Sequence, residues 1–428
     1  MNDVTSAGSG EQWFALDNAA KIFPGQNSST WSNSFRVAYR LRDEIDPDAL
    51  LAALKRVLPR FPCYDVRIKR GVFWYYLEKN KKPPRVYPDI KNPLYRVKFR
   101  ENNGYLFRLR YYKNTVSADF YHALTDGHGG FVFLSTLMAE YLRSKGHDIP
   151  CGGFVLDIDK PASPGELEDS FLKYADSNAK YNRRDKFVYH AGGERMPMHT
   201  LNLTSGMIRF DALHDITRSY GVTVTEFLAA LMLHILIRKQ KAECRRQKEV
   251  SIQIPVDLRR TFDSETLRNF TICMRVKVDP NKGDYSFDEL LRQVQYQLKL
   301  ANDKKEHNAL ITANTAIERN PLMRAVPLFL KNAGIGIGFA ITAEQTTSCL
   351  ITNIGKVSLP AELEEHVENC VFFPAPGKVN AARIGVATAG GIITITFSNS
   401  FVESDIEREF FTALVKMGLH VKIMSNRE

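Results

Sequence analysis

His122, Asp126 and Gly127 lie in the stretch Tyr121-His122-Ala123-Leu124-Thr125-Asp126-Gly127, and glycines return at Gly129 and Gly130. A neutral imidazole is a competent general base because its ordinary pKa, about 6.5, lies near working pH. Held at the end of a strand, ahead of a tight turn and a helix, such a ring is placed for proton transfer. Two other readings share these residues. His122 could be a satisfied core histidine, or it could join Asp126 and His128 as a nitrogen–oxygen ligand set of the kind zinc accepts. A turn of this type needs no metal and no fourth ligand accompanies the three, so the expectation is proton transfer with no metal.

The elements that must position His122 are legible around it. Val116, Ala118 and Phe120 alternate with Ser117 and Asp119, which predicts a strand with His122 sharing the inward parity of the apolar set. Leu134, Leu137, Met138, Tyr141 and Leu142 recur at helical spacing and predict a helix over 131–143. Upstream, Phe35, Val37, Tyr39 and Leu41 predict a strand, and Asp46-Pro47 predicts a helix start with Asp46 as N-cap. Residues 64–121 read as a strand meander that includes the aromatic run Val72–Leu77.

A composition break from Cys151 to Gly165 opens a crossover over 151–200, containing a short helix near 166–178. It separates an N-terminal unit, 11–150, from a C-terminal unit, 201–428, and residues 1–10 read as a disordered N-terminus. In the second unit a strand is expected near 203–210. Thr223-x-x-Glu226 and Ser286-x-x-Glu289 are capping boxes, the first opening a helix apolar nearly all round and the second a helix running to about 304. Strands follow at 250–254 and 348–353, then a hairpin across Ala389-Gly390-Gly391 and a terminal helix over 404–423. Mixed strands and helices with hairpins predict α/β sandwiches and not a doubly wound sheet. Gly334-x-Gly336-x-Gly338 lacks the spacing of a dinucleotide loop and reads as close packing.

The whole chain bounds the function classes. It has 428 residues, 44% hydrophobic and 25% charged, which is ample for sizeable cores and unlike a disordered chain. The polar opening predicts no signal peptide, and the longest apolar stretch, 325–341, carries Lys331, Asn332 and four prolines or glycines, which makes it a poor membrane span. Six scattered cysteines without a CxxC read as free thiols in a reducing cytoplasm. The net charge of +10 is dispersed and carries no nucleic-acid motif. Lys239, Lys241, Arg245, Arg246 and Lys248 close a helix, where cations complement the dipole; contact with cofactor phosphates is the alternative.

His122-x-x-x-Asp126-Gly127, together with Pro255-Val256-Asp257-Leu258-Arg259 and Thr352-Asn353-Ile354-Gly355, resembles the chloramphenicol-acetyltransferase-like CoA-dependent acyltransferases. Relatives of that kind include peptide-synthetase condensation domains, plant acyltransferases, wax ester synthases and alcohol O-acetyltransferases. The resemblance implies two α/β sandwich lobes in one chain with an interface tunnel, and acyl transfer from acyl-CoA, a co-substrate and not a bound cofactor, to a small alcohol or amine. A free-standing alcohol acetyltransferase-like O-acyltransferase fits best. Amide formation from carrier-protein thioesters, with an acyl carrier protein as partner, and a catalytically silent binding or assembly module remain open. The resemblance also implies that His122 is the general base and that Asp126 is structural, paired with Arg259 of the other lobe. The oxyanion would be met by backbone N–H groups at Gly129 and Gly130 or by the Asn353 side chain. Two departures stand out: Tyr121 occupies the place of a second histidine found in many relatives, and the plant-type DFGWG motif is absent.

Overall fold

The computed structural model describes residues 13–27, 32–94, 101–176, 178, 179, 181, 186–339, 344–377, 379 and 382–427. The expectation for residues 1–10 lies outside them. Among the described residues the strands form three sheets. A five-stranded sheet runs in the order Val367–Phe373, Ser34–Leu41, Thr115–Tyr121, Phe107–Tyr112 and Val86–Pro88. A seven-stranded sheet runs Thr271–Val278, Val250–Asp257, Cys349–Lys356, Arg383–Ala389, Ile392–Asn399, Asn202–Arg209 and Lys422–Ser425. Strand Cys349–Lys356 lies parallel to both neighbours, so this sheet is mixed. A small sheet joins Trp13–Ala15, Tyr75–Lys79 and Val66–Arg70.

Each large sheet carries its own helices and core. Helix Gly127–Ser144 packs on strands Ser34–Leu41 and Thr115–Tyr121 and against helix Pro47–Val57. The side chain of Asp46 caps that second helix by accepting from the N–H groups of Asp48 and Ala49. Phe35, Phe61, Phe120, Phe131 and Phe133 fill this core. In the other half, helix Val224–Glu243 packs on helix Phe287–Ala301, and both capping boxes are formed with their reciprocal bonds. Phe227, Leu228, Leu231, Phe397 and Phe410 anchor the second core. A smaller cluster of Phe171, Leu258, Phe262, Phe270, Ile272 and Ile311 packs the crossover against the stretch after Asp257.

Several elements differ from their expected form for identifiable reasons. Strand Val367–Phe373 belongs by sequence to the second half yet pairs antiparallel with Ser34–Leu41, so the first sheet is completed from beyond the crossover. The polar face of the strand leading to His122 is buried as well, because Asp119 is matched there by Arg36 and Arg110. The aromatic run starts its strand only at Tyr75, since Gly71 and Trp74 close a turn that leaves Val72 and Phe73 exposed. The crossover helix is two short turns, Pro164–Leu167 and Ser170–Tyr174. The terminal helix stops at Lys416, with Gly418 at φ 91° behind it, and the chain then adds the edge strand Lys422–Ser425.

Candidate functional site

His122 follows the last residue of strand Thr115–Tyr121, and its backbone N–H donates to Asn33 O at 2.8 Å. Its ring is sandwiched in aromatic surroundings, stacked on Phe23 at 4.6 Å and met edgewise by Phe35 at 5.1 Å. Nδ1 lies 2.9 Å from Asn269 Oδ1. The orientation of that amide is fixed by its other end, because Asn269 Nδ2 faces two acceptors, His122 O at 3.0 Å and Asp17 Oδ2 at 3.1 Å. Asn269 Oδ1 must therefore accept, Nδ1 must carry the proton, and Nε2 keeps its lone pair. Among the described residues Nε2 has no hydrogen-bond partner. Burial pushes the imidazole pKa below its ordinary value, outweighing the opposing pull of Asp126, Asn269 and Asp17. The ring is thus neutral at neutral pH and can take a proton at Nε2.

Asp126 turns away from His122 into a cage of donors. It is the N-cap of helix Gly127–Ser144, with Oδ1 accepting from Gly129 N at 3.2 Å. Arg259 Nη2 donates to Oδ1 and Oδ2 at 3.1 and 3.0 Å, and Phe270 N donates to Oδ2 at 3.0 Å. Burial opposes the charge on Asp126, but Arg259 and these N–H donors outweigh it and hold the carboxyl below the usual range. Arg259 is tied in turn to Thr266 O, Arg268 O and Asp257 Oδ1. Both Asp126 oxygens are engaged in this way, and among the described residues no group of three or more His, Cys, Asp and Glu side chains is arranged to hold a metal ion. His128 stands 3.5 Å from Asp257, and burial and then Arg259 push it down to about 4, so it too is neutral.

Gly127, Gly129 and Gly130 are the first turn of the helix and not a loop before it. The N–H of Gly129 serves the Asp126 cap and that of Gly130 donates to Asp126 O at 2.9 Å, so neither is free to meet an oxyanion. Their role is close approach. A Cβ on Gly129 would stand 2.2 Å from Thr125 Oγ1 and 2.3 Å from Leu267 O, and one on Gly130 would press on Phe35 and Phe120. Tyr121 is fully buried behind the turn.

Asn353 sits inside strand Cys349–Lys356, where the register shifts, and its Nδ2 donates to Thr225 Oγ1 at 2.9 Å while Oδ1 accepts from Gly355 N. It lines an open groove of about 1010 Å³ that also borders Asp257, Thr225 and Pro255. Since Asp257 holds Arg259 and faces His128, one end of the groove abuts the Asp126–Arg259 network. Arg218, Arg292 and Lys299 place three cations on its wall. The cations singled out at the end of helix Val224–Glu243 are elsewhere: Lys239 pairs with Glu243 and Asp405, and Lys241 with Asp284. Sequence reasoning missed Asn269, which lies 147 residues from His122 in a stretch with no periodic or motif signal.

No single helix among the described residues is long and apolar enough to cross a membrane, although Phe210–Ser219 and Val224–Glu243, bent by 76°, pass by length and composition together. The residues of the second helix that carry this apolarity are buried in the core.

No family model matches the chain, and no curated protein matches it. Solved structures do. The chain is similar to F. graminearum TRI101, crystallised with coenzyme A and deoxynivalenol, at TM-score 0.63 and 12% identity over 96% of this chain and 99% of that one. Polyketide synthase associated protein 5 from Mycobacterium tuberculosis aligns at TM-score 0.57 and 14% identity over 94% and 96%. The epimerization domain from the third module of tyrocidine synthetase B aligns at TM-score 0.59 and 12% identity over 97% and 96%. Three neighbours so distant in sequence and so complete in coverage agree on one architecture: the chain has the two-lobed α/β fold of the chloramphenicol-acetyltransferase-like acyltransferases and condensation domains.

Proposed function

We propose that the protein is an acyltransferase that moves an acyl group from the thioester of acyl-CoA to an alcohol, with His122 as general base. The observation that carries this reading is the state of His122: a neutral ring whose Nδ1–H is tied to Asn269 and whose Nε2 has no partner among the described residues. The acceptor hydroxyl gives its proton to Nε2 as its oxygen attacks the thioester carbonyl. Collapse of the tetrahedral intermediate breaks the C–S bond, and Nε2 returns the proton to the departing thiolate, leaving ester and free CoA thiol. No covalent enzyme intermediate is needed. Asp126 and Arg259 hold the helix start that carries this turn. The Asn353 amide, with one hydrogen beyond its bond to Thr225, is the side chain left to meet the oxyanion.

The groove supports the choice of donor. Arg218, Arg292 and Lys299 suit the phosphates of CoA, while Asn353 and Asp257 mark the end where its thiol would arrive. Neighbours of the same fold were crystallised with coenzyme A. A carrier-bound donor is the second reading, favoured by the likeness to synthetase domains. The test is thiol release from purified protein given acetyl-CoA, longer acyl-CoAs and a panel of alcohols and amines. Turnover lost in His122→Ala supports the reading, and unchanged turnover rejects it. Use of carrier-bound acyl groups alone selects the second reading, and tight ligand binding without any turnover selects a silent module.

A further inference from the structure

Asn269, which orients His122, is itself held from behind by a residue of the N-terminal segment. Asp17 Oδ2 receives Asn269 Nδ2 at 3.1 Å and the Asn269 backbone N–H at 3.4 Å, while its Oδ1 accepts from Ala20 N at 2.7 Å. Asp17 is fully buried, and Arg268 Nε, 3.7 Å from Oδ2, is the cation facing it. A buried carboxylate is costly and persists only with good partners, and none of the acyl-transfer steps uses this one.

We propose that Asp17 is a positioning residue for His122, acting through Asn269 to hold Nδ1–H in place and to stabilise the imidazolium that forms during transfer. The inference rests on the reading of His122 as the general base. A carboxylate oxygen can only accept, so Asp17 dictates which end of the Asn269 amide it meets. Reversing the amide would set oxygen against oxygen at Asp17 and N–H against N–H at His122. His122 O favours the same orientation from the other side, but an amide at position 17 could turn over and withdraw the second acceptor. The same segment lays Phe23 on the His122 ring and is fastened by Lys21 to Glu318. Residues 13–27 thus complete the site from a part of the chain that carries none of its motif.

The charges around the link are few. Asp17 faces Arg268 and the neighbouring carboxyl of Asp169, which burial and then Asp17 push up to about 7. Lys21 and Glu318 also act on Asp169, and Asp126 acts on His122. Asp169 keeps its own backbone donors, Asn18 N at 2.8 Å and Phe171 N at 3.1 Å. Burial and the nearby Asp17 outweigh these donors, so Asp169 takes up a proton near neutrality.

The test reads the ring directly. In protein carrying 15N-labelled histidine, the His122 resonances, identified with His122→Gln, are titrated in wild type and in Asp17→Asn. The expected result is a titration moved to lower pH in Asp17→Asn, with the Nδ1–H tautomer less dominant. The acid limb of kcat/KM moves the same way, and kcat falls roughly tenfold at nearly constant KM. An unchanged titration and tautomer overturn the proposal even if activity drops, because a merely structural Asp17 would move activity alone. Should Asp17→Asn not fold, the carboxyl 13C resonance of Asp17 in wild type must respond as His122 titrates, and a flat response there overturns it. If the wild type transfers no acyl group, the catalytic reading fails while the ring titration still decides the link.

Discussion

Asp126 and Arg259 stand 133 residues apart in sequence and meet with one guanidinium nitrogen shared between both carboxylate oxygens, at 3.1 and 3.0 Å. Their side chains are 3% and 5% exposed, so water contributes little to either. The pair links the helix start behind His122 to the loop that carries Asn269. Its value lies in holding two segments together, because the attraction of a buried pair largely offsets the cost of desolvating it.

Arg259→Met is expected to destabilise the fold by ~3–5 kcal/mol, because it leaves the Asp126 charge buried and uncompensated. Asp126→Asn with Arg259→Met should recover much of that loss without recovering activity. Chemical denaturation of the single and double variants checks this; equal losses in both would show that the charge itself is not the cost.

The pH dependence of that stability follows from the direction of the Asp126 shift. The carboxyl is held below its ordinary value in the folded state. Its contribution is therefore complete above the unfolded value, about 3.9, and is given up as pH falls through the folded value. Wild-type unfolding free energy should decline on acidification below about pH 4, and more steeply than in the double variant. Parallel slopes would assign the acid loss to other groups.

His122 predicts a pH profile for activity. Its pKa is depressed by burial, so the base form persists to lower pH than an ordinary histidine would allow. The acid limb of kcat/KM for acyl transfer should fall below about 6.5. Asn269→Ala should cut kcat by about 10–100-fold with little change in KM, because the ring loses its fixed tautomer while the substrate-binding surfaces stay in place. An acid limb at or above the ordinary histidine value would contradict the buried, neutral ring.

Much of this arrangement is legible in the sequence because it is local. Capping boxes at Thr223 and Ser286, the strand parity that carries His122, and the Gly390-Gly391 hairpin turn, with φ of 58° and 71°, all follow from neighbours a few residues away. What is not legible is long-range. Asn269 and Asp17 have ordinary neighbours, and their roles exist only once strand Thr271–Val278 and the N-terminal segment converge on His122. Strand Val367–Phe373 looks like any strand of the second half, and only its pairing with Ser34–Leu41 places it in the first sheet. Ser117 and Asp119 read as solvent-facing by alternation, because nothing nearby in sequence announces that Arg36 will cover Asp119. The cations of the groove, Arg218 on one helix and Arg292 and Lys299 on another, form no run.

Two glycines separate packing from propensity. Alanine is the better helix former by about 1 kcal/mol, so Gly334→Ala, where a Cβ meets nothing within 4 Å, should stabilise helix Leu328–Phe339. Gly129→Ala should destabilise despite the same propensity, by ~1–3 kcal/mol or more, since its Cβ would strike Thr125 Oγ1 and the Leu267 carbonyl. Thermal melts of the two variants should shift in opposite directions. A stabilised Gly129→Ala would mean that the helix start is not held against Leu267 as described.

The groove yields a prediction that separates donor binding from chemistry. Arg218, Arg292 and Lys299 line it and are exposed, so each acts by charge in a screened environment. Arg292→Glu with Lys299→Glu should raise KM for acyl-CoA several-fold, leave kcat nearly unchanged, and weaken as ionic strength rises. The same acyl group on a pantetheine thioester lacking the nucleotide phosphates should show no such rise, because reversing these two charges removes an attraction that only phosphate feels. If both donors suffer equally, the cations act on the shape of the groove or on the thioester end, and the nucleotide must lie against a different surface of the protein.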